Sequence, residues 1–331
     1  MQQNMHRNIK FFLGFTLIEL IMVVSLVGIL FTLASIFVAR PISAYASAVA
    51  RADLVDSADM TLRRIARDVQ NAVPNSLRVK QSGSTIALEF LQTVEAMRYR
   101  ANGPAALDFS MPITSFNVFL QSQFATINPT CVRGACRLIV YNTGATTNGN
   151  TDNPAPGANV YSTQVAPTCS TCPPPPCSDC PPPPCTGCLP PPGTVNITPV
   201  GTVVTIPVIP SDAFETPISL SPAVQFGLAS PRQRLYISDT PVTYLCNATP
   251  GVENITRYSG YAINPVQPVN PAASPLNSAS SAPVAQNVSA CTFNYQPGTT
   301  ERNALLIMSV NLSKGGETIF LTHEIAMENA P

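Results

Sequence analysis

The side chains best suited to chemistry are ten cysteines and one carboxylate set in an apolar run. Six of the cysteines form three Cys-x-x-Cys pairs, Cys169/Cys172, Cys177/Cys180 and Cys185/Cys188, separated by blocks of four prolines. Thiols at this spacing can bridge each other or bind a metal. Four prolines favour a polyproline II rod of about 3.1 Å per residue, which sets Cys172 and Cys177 roughly 15 Å apart. A disulfide needs Cα atoms within about 7 Å. Bridging across a proline block is therefore disfavoured, and a bridge within each pair is the local option, giving three clips on a stiff stalk. Zinc is the alternative, since two pairs supply four thiolates. Zinc ribbons, however, separate their pairs by a longer stretch that folds back, and the prolines resist that reversal. A thioredoxin-like redox pair needs a strand–helix context that this insert lacks. Bridges between subunits and a plain spacer are further readings. The composition sets the limits of this proline- and cysteine-rich insert at 152–193.

Of the remaining cysteines, Cys131 and Cys136 are close enough in sequence to close a small loop. Cys246 and Cys291 fall on expected strands and would staple them. Ten cysteines in 331 residues point to an oxidising compartment or a metal site. The only histidines are His6 and His323, and no Gly-x-Ser-x-Gly, His-Glu-x-x-His or Cys/His constellation accompanies them. No enzymatic activity and no cofactor are expected. Charged residues make up 11% of the chain and the net charge is zero, so nothing steers it to nucleic acid.

The carboxylate is Glu19. Residues 1–10 are polar and basic, with Arg7 and Lys10, and residues 11–39 are apolar almost throughout, with Glu19 the one charge. A secretory signal would have an apolar region of roughly 7–15 residues, about half of what is present. About 20 apolar residues span a bilayer, so a membrane anchor fits by length. A plain anchor leaves Glu19 unexplained, because a charge at the helix centre costs about 2.5–3.5 kcal/mol on insertion scales.

Gly14-Phe15-Thr16-Leu17-Ile18-Glu19-Leu20 resembles the prepilin peptidase site of type IV pilins and pseudopilins. The resemblance implies cleavage after Gly14, N-methylation of Phe15 and a role for Glu19 in assembly. Physical chemistry is consistent with the pattern. Cleavage leaves a cation at Phe15 in apolar surroundings, and buried charges are tolerated when paired. Gly14 lets a protease approach the backbone closely.

Behind the apolar run, Leu62, Ile65, Val69 and Val73 recur at helical spacing. Arg63, Arg64, Arg67 and Asp68 fall off this stripe, and the three arginines read as a solvated face rather than a nucleic-acid patch, since no aromatics are interleaved. Pro41 is expected to kink the helix, and Val73-Pro74-Asn75 to end it, for a rod of roughly 85 Å from Phe15 to about Ala72. Residues 76–331 lack helical patterns. Strands are expected at 85–90, 113–120, 137–141, 203–209, 234–237 and 242–246, with a closing hairpin of 304–312 and 317–327 around Ser313–Gly316. The expected fold class is α+β and pilin-like. It has a leader at 1–14, a helix at 15–75 that is transmembrane over 15–39, and a β-rich head at 76–331.

The phrases 63–76, 136–144 and 291–298 and the strand at His323-Glu324 resemble the MshO-type minor pilins of the mannose-sensitive haemagglutinin pilus. That resemblance implies a single-pass inner-membrane protein with a periplasmic head that later joins a surface pilus. Its implied partners are other major and minor pilins, the prepilin peptidase, the inner-membrane assembly platform and the membrane. A type II secretion pseudopilin and a pilus-tip adhesin are the alternatives.

Overall fold

A computed structural model describes residues 14, 16–119, 136–162, 193–206, 214–298 and 302–327. The chain divides into two units, Met1–Asp53 and Leu54–Pro331. One helix, α1, runs over Leu17–Gln70. It continues through Pro41, where a kink is expected from the missing N–H.

Twelve strands follow among the described residues, and every paired neighbour is antiparallel: β1 (Arg78–Ser82), β2 (Thr85–Tyr99), β3 (Ile113–Phe119), β4 (Arg137–Val140), β5 (Val203–Thr205), β6 (Glu215–Val224), β7 (Arg234–Asn247), β8 (Asn254–Ser259), β9 (Ser280–Gln286), β10 (Val288–Gln296), β11 (Ala304–Lys314) and β12 (Glu317–Met327). The larger sheet has the order β5-β6-β3-β2-β7-β8-β9, with β1 added to β2 and β4 to β7. A second sheet holds β10-β11-β12.

The closing hairpin forms as its sequence predicts. Lys314 pairs with Glu317 around Gly315 and Gly316, both at positive φ, which glycine adopts without a Cβ penalty. The expected strands at 234–237 and 242–246 are one strand, β7, continuous past Pro241, with register shifts in its pairing to β2. Pro241 lacks an N–H, which is why the pattern reads as two pieces. Of the expected strand at 203–209, β5 covers Val203–Thr205 and residues 207–209 lie outside the described set.

Within the second unit, the buried face of α1 carries Leu54, Ala58, Leu62, Ile65, Ala66 and Val69. These side chains share one core with Leu88 and Phe90 of β2, Tyr244 and Cys246 of β7, and Leu306, Met308 and Val310 of β11. Both sheets therefore close on the same helical stripe. Burial of this kind stabilises by about 25 cal/mol per Å² of apolar surface. A further core lies between Met97 and Tyr99 of β2, Phe116 and Val118 of β3, Ile218 and Leu220 of β6, and Leu235 and Ile237 of β7.

Asp68 lies off the apolar stripe of α1 and is half-buried. Its carboxylate accepts hydrogen bonds from Arg257 Nε at 2.9 Å and from the Tyr244 hydroxyl at 2.7 Å, and so fastens α1 to β7 and β8. One expectation needs correction: residues 152–162 do not belong to a stalk. Asp152 pairs with Lys80, and Asn159, Val160, Tyr161 and Ser162 are buried. Composition assigned them to the insert because they share its Pro, Asn and Gly content, but burial is set by what they pack against.

Candidate functional site

The first unit presents one feature suited to function: an apolar helical surface with a single charge. Leu17–Ser35 has a mean hydropathy of 2.6 over 19 residues, and none of it is buried. Leu17, Ile18, Leu20, Ile21, Val24, Leu26 and Phe31 are all exposed. An exposed apolar surface this long calls for an apolar environment. Its backbone polar groups are satisfied along the helix, which is what a lipid-exposed segment requires. The hydroxyls are satisfied as well. Ser25 Oγ donates to Ile21 O at 2.8 Å, Thr32 Oγ1 to Ile29 O at 2.8 Å, and Ser35 Oγ to Thr32 O at 2.8 Å.

Local chemistry fixes where the helix begins. Thr16 precedes the first helical residue, and its Oγ1 accepts the Glu19 N–H at 3.3 Å. Thr16 O accepts the Leu20 N–H at 3.2 Å. Thr-x-x-Glu is the spacing of a capping box, with the acid at the third helical position. The positive end of the helix dipole favours a carboxylate there. Glu19 is exposed and is the only charged residue of the span. Gly14 is exposed, and nothing lies within 4 Å of where a Cβ would be. Phe15 and residues 1–13 lie outside the described residues.

In the second unit the expected staple between Cys246 and Cys291 is formed. The disulfide joins β7 of the larger sheet to β10 of the smaller one, across a Cα separation of 6.6 Å and 45 residues of sequence. Cys136 is disulfide-bonded, while its expected partner Cys131 is outside the described residues. Cys169, Cys172, Cys177, Cys180, Cys185 and Cys188 are outside them too. Among the described residues no group of His, Cys, Asp and Glu could hold a metal ion. His323 faces Met308 across the β11–β12 ladder, half-buried.

The sequence gives no hint of a buried ionic knot beneath β1. Arg78 and Glu89 lie directly opposite each other on β1 and β2. Arg78 Nε donates to Glu89 Oε2 at 2.8 Å, and its other nitrogens donate to Pro265 O at 2.6 Å and Asn264 O at 2.7 Å. The guanidinium also lies 3.6 Å over the Tyr161 ring. Tyr261 donates to Glu89 Oε1 at 2.9 Å. Burial pushes the Glu89 carboxyl up from its ordinary value, against the pull of Arg78 and Tyr261. The knot ties two separate segments, the β8–β9 connection and the stretch that carries Tyr161, to one hairpin.

Asn142 plays a similar part next to it. It donates to Pro74 O at 2.8 Å and accepts from Val160 N–H at 3.2 Å. Its neighbour Gly144 sits at φ +67°, where a Cβ would lie 2.8 Å from Asn75 O, so only glycine fits. Two of the sequence phrases set apart above, 63–76 and 136–144, are therefore in direct contact.

An amino-terminal helix, apolar and long enough to cross a membrane, followed by a domain of antiparallel sheets defines an α+β protein with a pilin-like layout. No protein-family model, curated protein or solved structure matches the chain.

Proposed function

We propose that this chain is a minor type IV pilin of the MshO type, a non-enzymatic subunit that is inserted in the inner membrane and then joins or initiates a surface filament. The observation that carries the reading is the peptide Gly14–Glu19 at the start of an unburied apolar helix. The peptide places a cleavable glycine, a capping threonine and one carboxylate at the head of a membrane-length span.

The mechanism follows from the parts. Arg7 and Lys10 keep the leader in the cytoplasm by the positive-inside rule, and the head oxidises in the periplasm. Prepilin peptidase cuts after Gly14, and the new amine at Phe15 is methylated. The helix passes from lipid to a filament core that is equally apolar, so extraction costs little hydrophobic free energy. Glu19 then pairs with the amine of a neighbouring pilin and sets the axial register. The assembly platform and the other pilins are the partners; no cofactor is required.

Amino-terminal sequencing and intact mass of the protein isolated from membranes test this. Methylated Phe15 as the first residue is expected. An intact Met1, or a chain beginning at Arg51 behind Ala48-Val49-Ala50, which resembles the small-residue cleavage site of a secretory signal, would overturn the proposal.

A further inference from the structure

The edges of the two sheets are protected unequally. An exposed edge presents unpaired N–H and C=O groups to any other strand, and proteins blunt it with short strands, proline, lysine, bulges or a cover. In the larger sheet, β5 has three residues and β4 four, β1 carries Lys80, and β9 contains Pro283 and a register shift in its pairing to β8. In the smaller sheet, β10 is tied to β7 by the disulfide. β12 has none of these devices. It has 11 residues, contains no Pro or Lys, pairs with β11 without a shift, and pairs with no other strand among the described residues.

Hairpin geometry decides which groups β12 turns outward. Lys314 and Glu317 flank a two-residue turn and so form a hydrogen-bonded pair. Bonded and non-bonded pairs alternate along an antiparallel ladder. The backbone groups of Ile319, Leu321, His323 and Ile325 therefore bond β11, and those of Thr318, Phe320, Thr322, Glu324 and Ala326 point to the free edge. The side chains of this second set are all exposed, while Ile319 and Ile325 are buried.

Around Phe320 the strand reads alike in both directions: Thr318-Ile319-Phe320-Leu321-Thr322. Laid antiparallel on a copy of itself about Phe320, it sets phenylalanine opposite phenylalanine, Thr318 opposite Thr322 and Ile319 opposite Leu321. Aromatic pairs and Thr–Thr pairs are favourable across strands. No like charges meet, since Glu317 faces His323 and Glu324 faces Gly316. Neighbouring registers lose this match. Centred on Leu321, Phe320 faces Thr322 and Ile319 faces His323; centred on Thr322, Phe320 faces Glu324. Self-complementarity about one point is what a closed two-fold dimer requires, because the same patch serves both copies.

We propose that β12 is a docking edge for a second copy of this chain, joined antiparallel about Phe320 so that the two copies of the smaller sheet become one continuous sheet. Thr318, Phe320 and Thr322 of each copy exchange backbone hydrogen bonds with Thr322, Phe320 and Thr318 of the other. The two Phe320 rings lie side by side on the solvent face and cover apolar surface that is open in the single chain. The inference stands apart from the filament reading, and processing of the amino terminus does not bear on it.

The test places p-benzoylphenylalanine at position 318 of the full-length protein, mixes ordinary and 15N-labelled copies in detergent micelles, and irradiates them. Mass spectrometry of the digest is expected to show a cross-link between one labelled and one unlabelled copy, from position 318 to residues 320–324 of the other. Adding Phe320→Lys, at a position that is 64% exposed and so not needed for folding, is expected to cut the yield about tenfold, because the aromatic pair is lost and two lysines stand opposite each other. Phe320→Glu should do the same. An equimolar mixture of the lysine and glutamate copies should recover the cross-link, now between one of each. No cross-link between copies, one that maps outside 320–324, an undiminished yield with Phe320→Lys, or no recovery in the mixture would overturn the proposal.

Discussion

Glu19 stands three residues after the threonine that caps its helix, where the helix dipole already stabilises a carboxylate. A capping role alone predicts that Glu19→Gln is nearly silent, since glutamine also fills that position of the capping box. A register role predicts otherwise. Glu19→Val is expected to leave cleavage after Gly14 intact and to remove the protein from the filament. An immunoblot of sheared pili against whole membranes reads both; normal incorporation of the valine variant would sink the register role.

Asp152 has a different effect. Desolvation raises its carboxyl, but the Lys80 ammonium and the Gln267 N–H outweigh that and hold it below the ordinary value. An acid depressed in the folded state contributes stability above its unfolded pKa of about 3.9, and that contribution fades as pH falls through the folded value. Asp152→Asn should therefore cost about 1 kcal/mol at pH 7 and almost nothing at pH 2.5. Urea unfolding of both proteins at the two pH values checks the sign. A larger penalty at low pH would refute the pairing with Lys80.

At the scale of elements, two devices hold the sheets together. One is the apolar stripe of α1; the other is the Cys246–Cys291 bridge between β7 and β10. The bridge closes 45 residues, and on the chain-entropy model it is worth about 4 kcal/mol. Cys246→Ala/Cys291→Ala is expected to lower stability by roughly that amount. Because both cysteines sit in the shared core, part of the loss will be packing rather than entropy. Unfolding of the wild type with and without reductant separates the two, since reduction leaves the sulfurs in place. Equal stability of reduced and oxidised protein would show that the bridge adds nothing.

The helix stripe and the closing hairpin were legible in the sequence because each obeys a local period, 3.6 for Leu62–Val69 and 2 for Ala304–Met327. Strands β8 and β9 were not. Their Asn, Thr, Ser and Pro content reads as loop, and their pairing is decided by distant neighbours such as Tyr244 opposite Arg257. The same reasoning covers the candidate site. Glu19 stands out because one charge breaks a uniform run. Asp68, Arg78 and Asn142 went unnoticed because their partners lie 189, 11 and 68 residues away.

For the molecule as a whole, the question is where the β-rich head ends and the insert begins. Composition draws the line at residue 152, packing at 162 or later. Tyr161 is 2% exposed, donates to Ser76 O at 2.9 Å and lies under the Arg78 guanidinium. Val160 and Tyr236 share a small core with it. Asp152 reaches Lys80 on β1 and the Gln267 backbone. Removing 152–162 would leave Arg78 and Glu89 paired but uncovered, and would strip Asn142 of the Val160 N–H that it accepts. Loss of one buried aromatic alone typically costs about 3–5 kcal/mol. Excision of 152–193, closed by a short Gly-Ser linker, is thus expected to lower Tm by about 10 °C. Excision from 163 to 192 spares every one of these contacts. The difference in Tm between the two excisions measures what 152–162 contribute, and no difference would mean that the insert does begin at 152.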